Sequence, residues 1–366
     1  MFILFRTVNL LKNINLGFSV NFNLNLWWNL GFILIFLIII QIITGIILSF
    51  FVELGFNFTN SKFLLFKENK FFWIFIILHS IIPNFFFIIL YLHILKNIIF
   101  PIYNTLVMWI SGVFIYLTYI IISYTGYSLI TTIGFWALTV GKEVLEEVLG
   151  GVIASLILFS DNIGICNFTF YKIFTIHYLI SFFSIIIIIF HIYYLHFIGN
   201  SGGNVFIHVN EVRFLIIGLS KDLLIQGIFS LILFYNIFIT PENFISGNFN
   251  LSFDKVFSIE ISVEWYLRIF FTLLKSIKIK RSGIFFTFIF IIIIFLIPYF
   301  KNIWASSEIP LNFYLIIIFI TIFIILISNF YYSSFLSSIS FILLIFFNIF
   351  FLFFLNYSYI KFNFIK

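Results

Sequence analysis

Two stretches decide the fold: residues 79–93, HSIIPNFFFIILYLH, and residues 177–191, HYLISFFSIIIIIFH. Each opens and closes on a histidine, 14 residues apart, around an almost wholly apolar interior. In an α-helix, 14 steps of about 100° bring the second side chain back to within roughly 40° of the first, about 21 Å further along the axis. Each stretch therefore predicts a membrane helix with one imidazole toward each membrane face. Two such helices side by side stack two imidazole pairs across a bilayer: antiparallel helices match His79 with His191, and parallel ones match His79 with His177. A paired imidazole site suits a heme iron with two axial nitrogens and no open position, an electron carrier rather than an oxygen site. A histidine inside a membrane can also serve as a hydrogen-bonded packing residue. Here, however, four of the chain's six histidines fall in two identically spaced pairs, and that recurrence selects the ligand reading.

With 366 residues, 63% hydrophobic and only 9% charged, the chain has too little polar surface for a water-soluble globule. Sixty phenylalanines against five prolines suggest AT-rich coding, and so an organelle genome. Cys166 is the single cysteine, so neither an internal disulfide nor a cysteine-ligated cluster is possible; iron–sulfur chemistry would belong to a partner. No cleavable leader is read at the N-terminus, and no nucleic-acid partner is expected.

Apolar windows at 30–51, 72–95, 106–125, 173–197, 214–239, 284–300, 312–330 and 335–356 predict eight transmembrane helices in an all-α integral membrane protein. The first four would form the diheme bundle, with interfacial helices in the loops after the third and fifth spans. The acidic, amphipathic segment 142–149 is one of these. Residues 1–212 are read as the bundle region, and 213–366 as a C-terminal membrane region with a long loop at 240–283 and the last three spans. Eight crossings put both termini on one side. Eleven of the 19 basic residues then fall on that side, which makes it the matrix or cytoplasmic one. The second and fourth spans become parallel, so His79 shares the outer level with His177, and His93 the inner level with His191. Gly31 and Gly45 on the first span, and Gly112 and Gly126 on the third, repeat the 14-residue period, as helices would that let a flat macrocycle approach the backbone.

Further residues give this pattern a family likeness. Trp28-Asn29 with Gly31, Gln41-Ile-Ile-Thr-Gly45, Trp109-Ile-Ser-Gly112, Gly126-Tyr127, Phe135-Trp136, Leu195-His196 with Gly199, Lys221-Asp222-Leu-Leu, Pro241-Glu242-Asn243-Phe244 and Glu264-Trp265-Tyr266 accompany the histidine pairs. Over about residues 25–281 the chain resembles the mitochondrial cytochrome b family, the heme-carrying subunit of the cytochrome bc complex. The 14-residue spacing in both helices matches the mitochondrial form rather than the chloroplast relative, whose second pair is one residue wider. The resemblance implies a mitochondrial inner-membrane protein with two heme b groups, at His79/His177 and His93/His191, and ubiquinol oxidation near the outer face with ubiquinone reduction at the inner one. It implies as partners a Rieske iron–sulfur protein, a cytochrome c1-type subunit and other complex III subunits, in a homodimeric complex. It also implies Glu264 as proton acceptor from quinol, with Tyr127 and Tyr266 at the same pocket. His196, Asp222 and Lys221 would form the inner quinone site.

The departures from that family are specific. Val263 stands where a proline precedes the glutamate, Ile269 and Phe271 replace the usual proline and tyrosine, and Ala137 replaces a glycine. The arginine expected three residues before the first histidine is Ile76, so the outer heme's propionates need another cation; Lys172 is the candidate, and Lys96 serves the inner heme. Two rival readings keep some of these features. A diheme anchor of another quinone-linked dehydrogenase would keep the histidines but has no use for Glu264-Trp265-Tyr266. A heme-free organellar subunit or transporter would use the histidines for packing or proton relay.

Overall fold

A computed structural model of the chain describes residues 19–21, 26–50, 70–99, 106–129, 131–151, 165, 167–198, 211–213, 218–239, 263–275 and 280–296. In order they form β1 (Ser19–Asn21), a 3-10 turn (Leu26–Asn29), α1 (Leu30–Ser49), α2 (Lys70–Ile99), α3 (Leu106–Ser128), α4 (Thr131–Leu149), α5 (Asn167–Ile198), β2 (Glu211–Arg213), α6 (Leu219–Phe238), α7 (Trp265–Lys275) and α8 (Lys280–Leu296). The backbone gathers into two compact units. Met1–Gly134 with Phe170–Ile259 form one, and Phe135–Thr169 with Glu260–Lys366 the other. This partition differs from the expected division at 212/213: α6 belongs with the histidine helices, and most of α4 with α7 and α8.

Among the described residues five stretches, Trp27–Ser49, Ile74–Asn97, Leu106–Ser128, Phe168–Leu195 and Leu219–Phe238, are long and apolar enough to cross a membrane. Apolar runs become helices in lipid because every backbone N–H and C=O must find its partner inside the segment. Apolar side chains such as Ile189 and Leu231 point outward, 60% and 70% exposed, as lipid-facing residues do. The shorter apolar helix α8 stands where the sixth span is expected; the expected seventh and eighth, 312–330 and 335–356, lie outside the described residues. Helix α4 begins at Thr131, well before the expected 142. It can follow α3 at once because Gly134 lies against the Ser128 carbonyl, which leaves no room for a Cβ. A two-stranded antiparallel ribbon, Ser19 opposite Arg213 and Asn21 opposite Glu211, is an addition to the all-α expectation.

In the first unit α1 packs closely along α2, and α6 leans on both. Midway between the two histidines of α2 sits Phe86, and midway between those of α5 sits Ser184; Ile38 and Tyr119 hold the corresponding midpoints between the paired glycines of α1 and α3. All four are buried. The Phe86 and Tyr119 rings lie 4.5 Å apart, and the Tyr119 and Ser184 hydroxyls are bonded at 3.2 Å. A solid layer thus separates the two histidine levels.

Pro83 lies inside α2, four residues after His79. A proline has no N–H for the carbonyl four residues back, so the helix leaves the His79 oxygen without its usual donor. The Gln41 side chain on α1 supplies one, donating from Nε2 at 3.1 Å. Replacing Gln41 with Leu should therefore lower the chain's thermal stability in detergent by about 1–3 kcal/mol. Adding Pro83→Ala, which returns an N–H to the helix, should recover most of the loss. Equal destabilisation of single and double variants would show that Gln41 acts elsewhere.

Candidate functional site

Each of the four histidines of the two 14-residue pairs faces one glycine. A Cβ on Gly45 would lie 3.1 Å from Cε1 of His79, and one on Gly126 2.9 Å from Cε1 of His177. On Gly31 it would lie 3.6 Å from His93, and on Gly112 3.5 Å from His191. His79 is within electrostatic reach of His177, and His93 of His191.

Hydroxyls fix the rings. The Thr44 hydroxyl is directed at the Ile40 and Gln41 carbonyls, 2.9 and 3.0 Å away, so its one proton is used within the helix and its oxygen accepts from His79 Nδ1 at 3.0 Å. Thr125 repeats the arrangement, with Ile121 and Ile122 carbonyls at 2.9 Å and His177 Nδ1 at 3.1 Å. His177 Nδ1 also meets the Ile122 carbonyl at 3.0 Å, and a carbonyl can only accept. Ser111 donates to the Met108 carbonyl at 3.0 Å and accepts from His191 Nδ1 at 2.8 Å. In all three rings the proton therefore sits on Nδ1, and Nε2 keeps its lone pair. That is the tautomer a metal takes, oriented through the nitrogen it does not use. The fourth ring differs: among the described residues no group bonds the buried Nδ1 of His93. Leu30, not a hydroxyl residue, precedes Gly31.

Sequence reasoning does not reach these hydroxyls, although the dipeptides Thr44-Gly45, Ser111-Gly112 and Thr125-Gly126 carry their signal. Nor does it reach the bond from Asn29 Nδ2 to Asp222 Oδ1, both buried, which ties the start of α1 to α6. Beside them Lys96 is buried at the end of α2, its ammonium 4.5 Å from the centre of the Trp28 ring. Lys221 adjoins Asp222 and is half-buried. Lys172 is half-buried on α5. His196 lies on α5, its side chain outside the described residues. Tyr127 is buried at the end of α3.

In the second unit Glu264 immediately precedes α7 and its carbonyl accepts from the backbone N–H groups of Leu267 and Arg268, both at 3.0 Å. The Trp265 and Tyr266 rings meet edge to face at 5.6 Å, and Tyr266 is buried. Burial pushes the Glu264 carboxyl above the ordinary carboxylate range, and the nearby Arg268 charge partly offsets the rise.

The fit to heme rests on the chain's own groups. Glycines clear the backbone opposite every ring, three rings present fixed Nε2 lone pairs, and α2 and α5, which carry the rings, make little backbone contact with each other. Such a molecule is a multi-span helical membrane protein that carries four glycine-backed histidines on two of its helices. Comparison with known proteins gives the class its family. The model described as Cytochrome b/b6/petB matches residues 16–199, and the chain belongs to that family. It is 28% identical over 242 residues to cytochrome b of Brachionus plicatilis, covering 63% of this chain and 62% of that protein. It is 30% identical over 256 residues to cytochrome b of Dictyostelium discoideum, covering 68% and 64%. The chain thus spans less than two thirds of the length of these relatives. The fold is similar to a chain of the structure titled "Hyperthermophilic respiratory Complex III", with a TM-score of 0.75 at 18% identity over 92% of each chain.

The glycine contacts predict unequal tolerance. Gly126→Ala sets a methyl against His177 closer than ring and helix allow, an overpacking cost of about 1–3 kcal/mol, and should lower heme content at the His79/His177 level. Gly31→Ala meets His93 at ordinary contact distance and should lower heme content less. Absorbance spectra of the two purified variants check this, and equal losses would contradict it.

Proposed function

We propose that this chain is the diheme cytochrome b of a quinol:cytochrome c oxidoreductase in the mitochondrial inner membrane, with both termini on the matrix side. The observation that carries the reading is the set of four glycine-backed imidazoles in two levels, three of them held with Nε2 free for a metal. His79 and His177 would hold the outer heme b, and His93 and His191 the inner. When bound, the two hemes supply one-electron transfer across the membrane. Residues 1–212 would form this electron-transfer region, and 213–366 the quinol-site loop and last spans. The relatives' shared name of cytochrome b supports the reading.

The chain's other residues would handle the quinone and its protons. At the outer site Glu264 would take a proton as ubiquinol is oxidised, with Tyr266 close by in the first turn of α7, and a Rieske protein would receive one of the two electrons. A cytochrome c1-type subunit and further complex III subunits would complete a homodimeric assembly. At the inner site Asp222, oriented by Asn29, would act with His196 and Lys221 on ubiquinone. Lys96 and Lys172 are the cations proposed for the propionates.

Only the ionised form of Glu264 can accept a proton. Because burial raises its pKa, that form is lost at a higher pH than for a solvated carboxylate. Quinol oxidation by the purified complex should therefore decline as pH falls through this raised value. Glu264→Gln should abolish the acidic limb and lower the rate by roughly 10²–10⁴-fold. An unchanged profile in that variant would remove Glu264 from the mechanism.

A further inference from the structure

The sequence departs from its family at Val263, and the structure shows what stands beside it. The Arg268 guanidinium folds back over the start of α7, and its Nε and Nη2 both donate to the Val263 carbonyl at 3.2 Å. Val263 is itself buried, and Tyr266, Leu267 and Phe271 continue the same apolar wall. The backbone is thus held on both sides of the Glu264 Cα: two N–H groups of Arg268 grip the Val263 carbonyl before it, and the backbone N–H groups of Leu267 and Arg268 bond its own carbonyl after it. A proline at 263 would fix φ by its ring; valine leaves that torsion free, and the double hydrogen bond restrains the peptide instead.

We infer that Arg268 is a positioning residue for Glu264: it clamps the peptide from which the glutamate projects and supplies the positive charge that the buried carboxylate meets. This rests on Glu264 being the proton acceptor. Helix α7 carries two cations, Arg268 and Lys275; α8, which packs against α7, carries Lys280 and Arg281. Arg281 is engaged with Glu147 at 2.7 Å, and Arg268 is the charge that acts on Glu264. The helix N-terminus adds a fixed positive end at the same place. The carboxylate is therefore held between burial, which favours its protonation, and two sources of positive charge that oppose it.

The test uses the assembled, heme-loaded complex, with reduced-minus-oxidised spectra fixing the amount of enzyme. Arg268→Gln removes the charge and should move the acidic limb of quinol oxidation about one pH unit toward alkaline, roughly a tenfold loss on the acidic flank, with the alkaline plateau little changed. Arg268→Lys keeps the charge and should keep the limb in place. An unmoved limb in Arg268→Gln, or an equal shift in Arg268→Lys, overturns the inference. Should Arg268→Gln not assemble, Arg268→Lys keeps the inference falsifiable: a displaced limb there overturns it. Glu264→Gln separates the two levels of the argument. A limb that persists there overturns the proton-acceptor reading together with the inference. A limb that vanishes there yet does not move in Arg268→Gln overturns the role of Arg268 alone.

Discussion

The structure depends on setting four half-buried imidazoles in an apolar bundle, three of them bonded through Nδ1 so that Nε2 is left over. A neutral ring in such surroundings must hydrogen-bond through one nitrogen, and whichever it uses fixes what the other can do. Thr44, Thr125 and Ser111 settle that choice by committing their own protons to helix carbonyls, so that they can only accept. Glycine one step further along gives the ring room against the backbone. A two-residue unit, hydroxyl then glycine, therefore sets tautomer and position together, and it recurs because the helices repeat every 14 residues. The exception is His93, where Leu30 takes the hydroxyl's place and Nδ1 has no partner among the described residues.

The same period explains the layer between the two levels. Seven residues from each histidine or glycine, the helix returns to nearly the same face; Ile38, Phe86, Tyr119 and Ser184 are buried there, and Tyr119 touches both Phe86 and Ser184. Pro83 costs α2 one backbone hydrogen bond near the upper level, and Gln41 replaces it from α1. Membrane helices tolerate such defects where a neighbour's side chain can re-satisfy the freed carbonyl.

Much of this was legible in the chain because local periodicity encodes it. The spacing of His79 with His93 and of Gly31 with Gly45 requires only that the segments be helical. Legibility failed where partners are remote or chemistry is shared. Asn29 and Asp222 are 193 residues apart, and nothing local in either predicts the other. The Ser19–Asn21 ribbon needs a partner near residue 212 and is too short to show a strand pattern. Helix α4 begins early because Gly134 permits a close turn after α3, which the apolar run 131–140 does not announce. Arg268 reads in sequence as an ordinary helix cation; its contact with the Val263 carbonyl appears only once the first turn of α7 is built.

The account stands on each imidazole pair gripping one iron. The most direct measurement is the heme content and redox spectrum of the purified chain within its complex, compared with a His93→Leu variant. Two b-type hemes per chain, reduced to one in the variant with the outer band preserved, are the predicted result. A colourless chain, or a variant that keeps both bands, would contradict it.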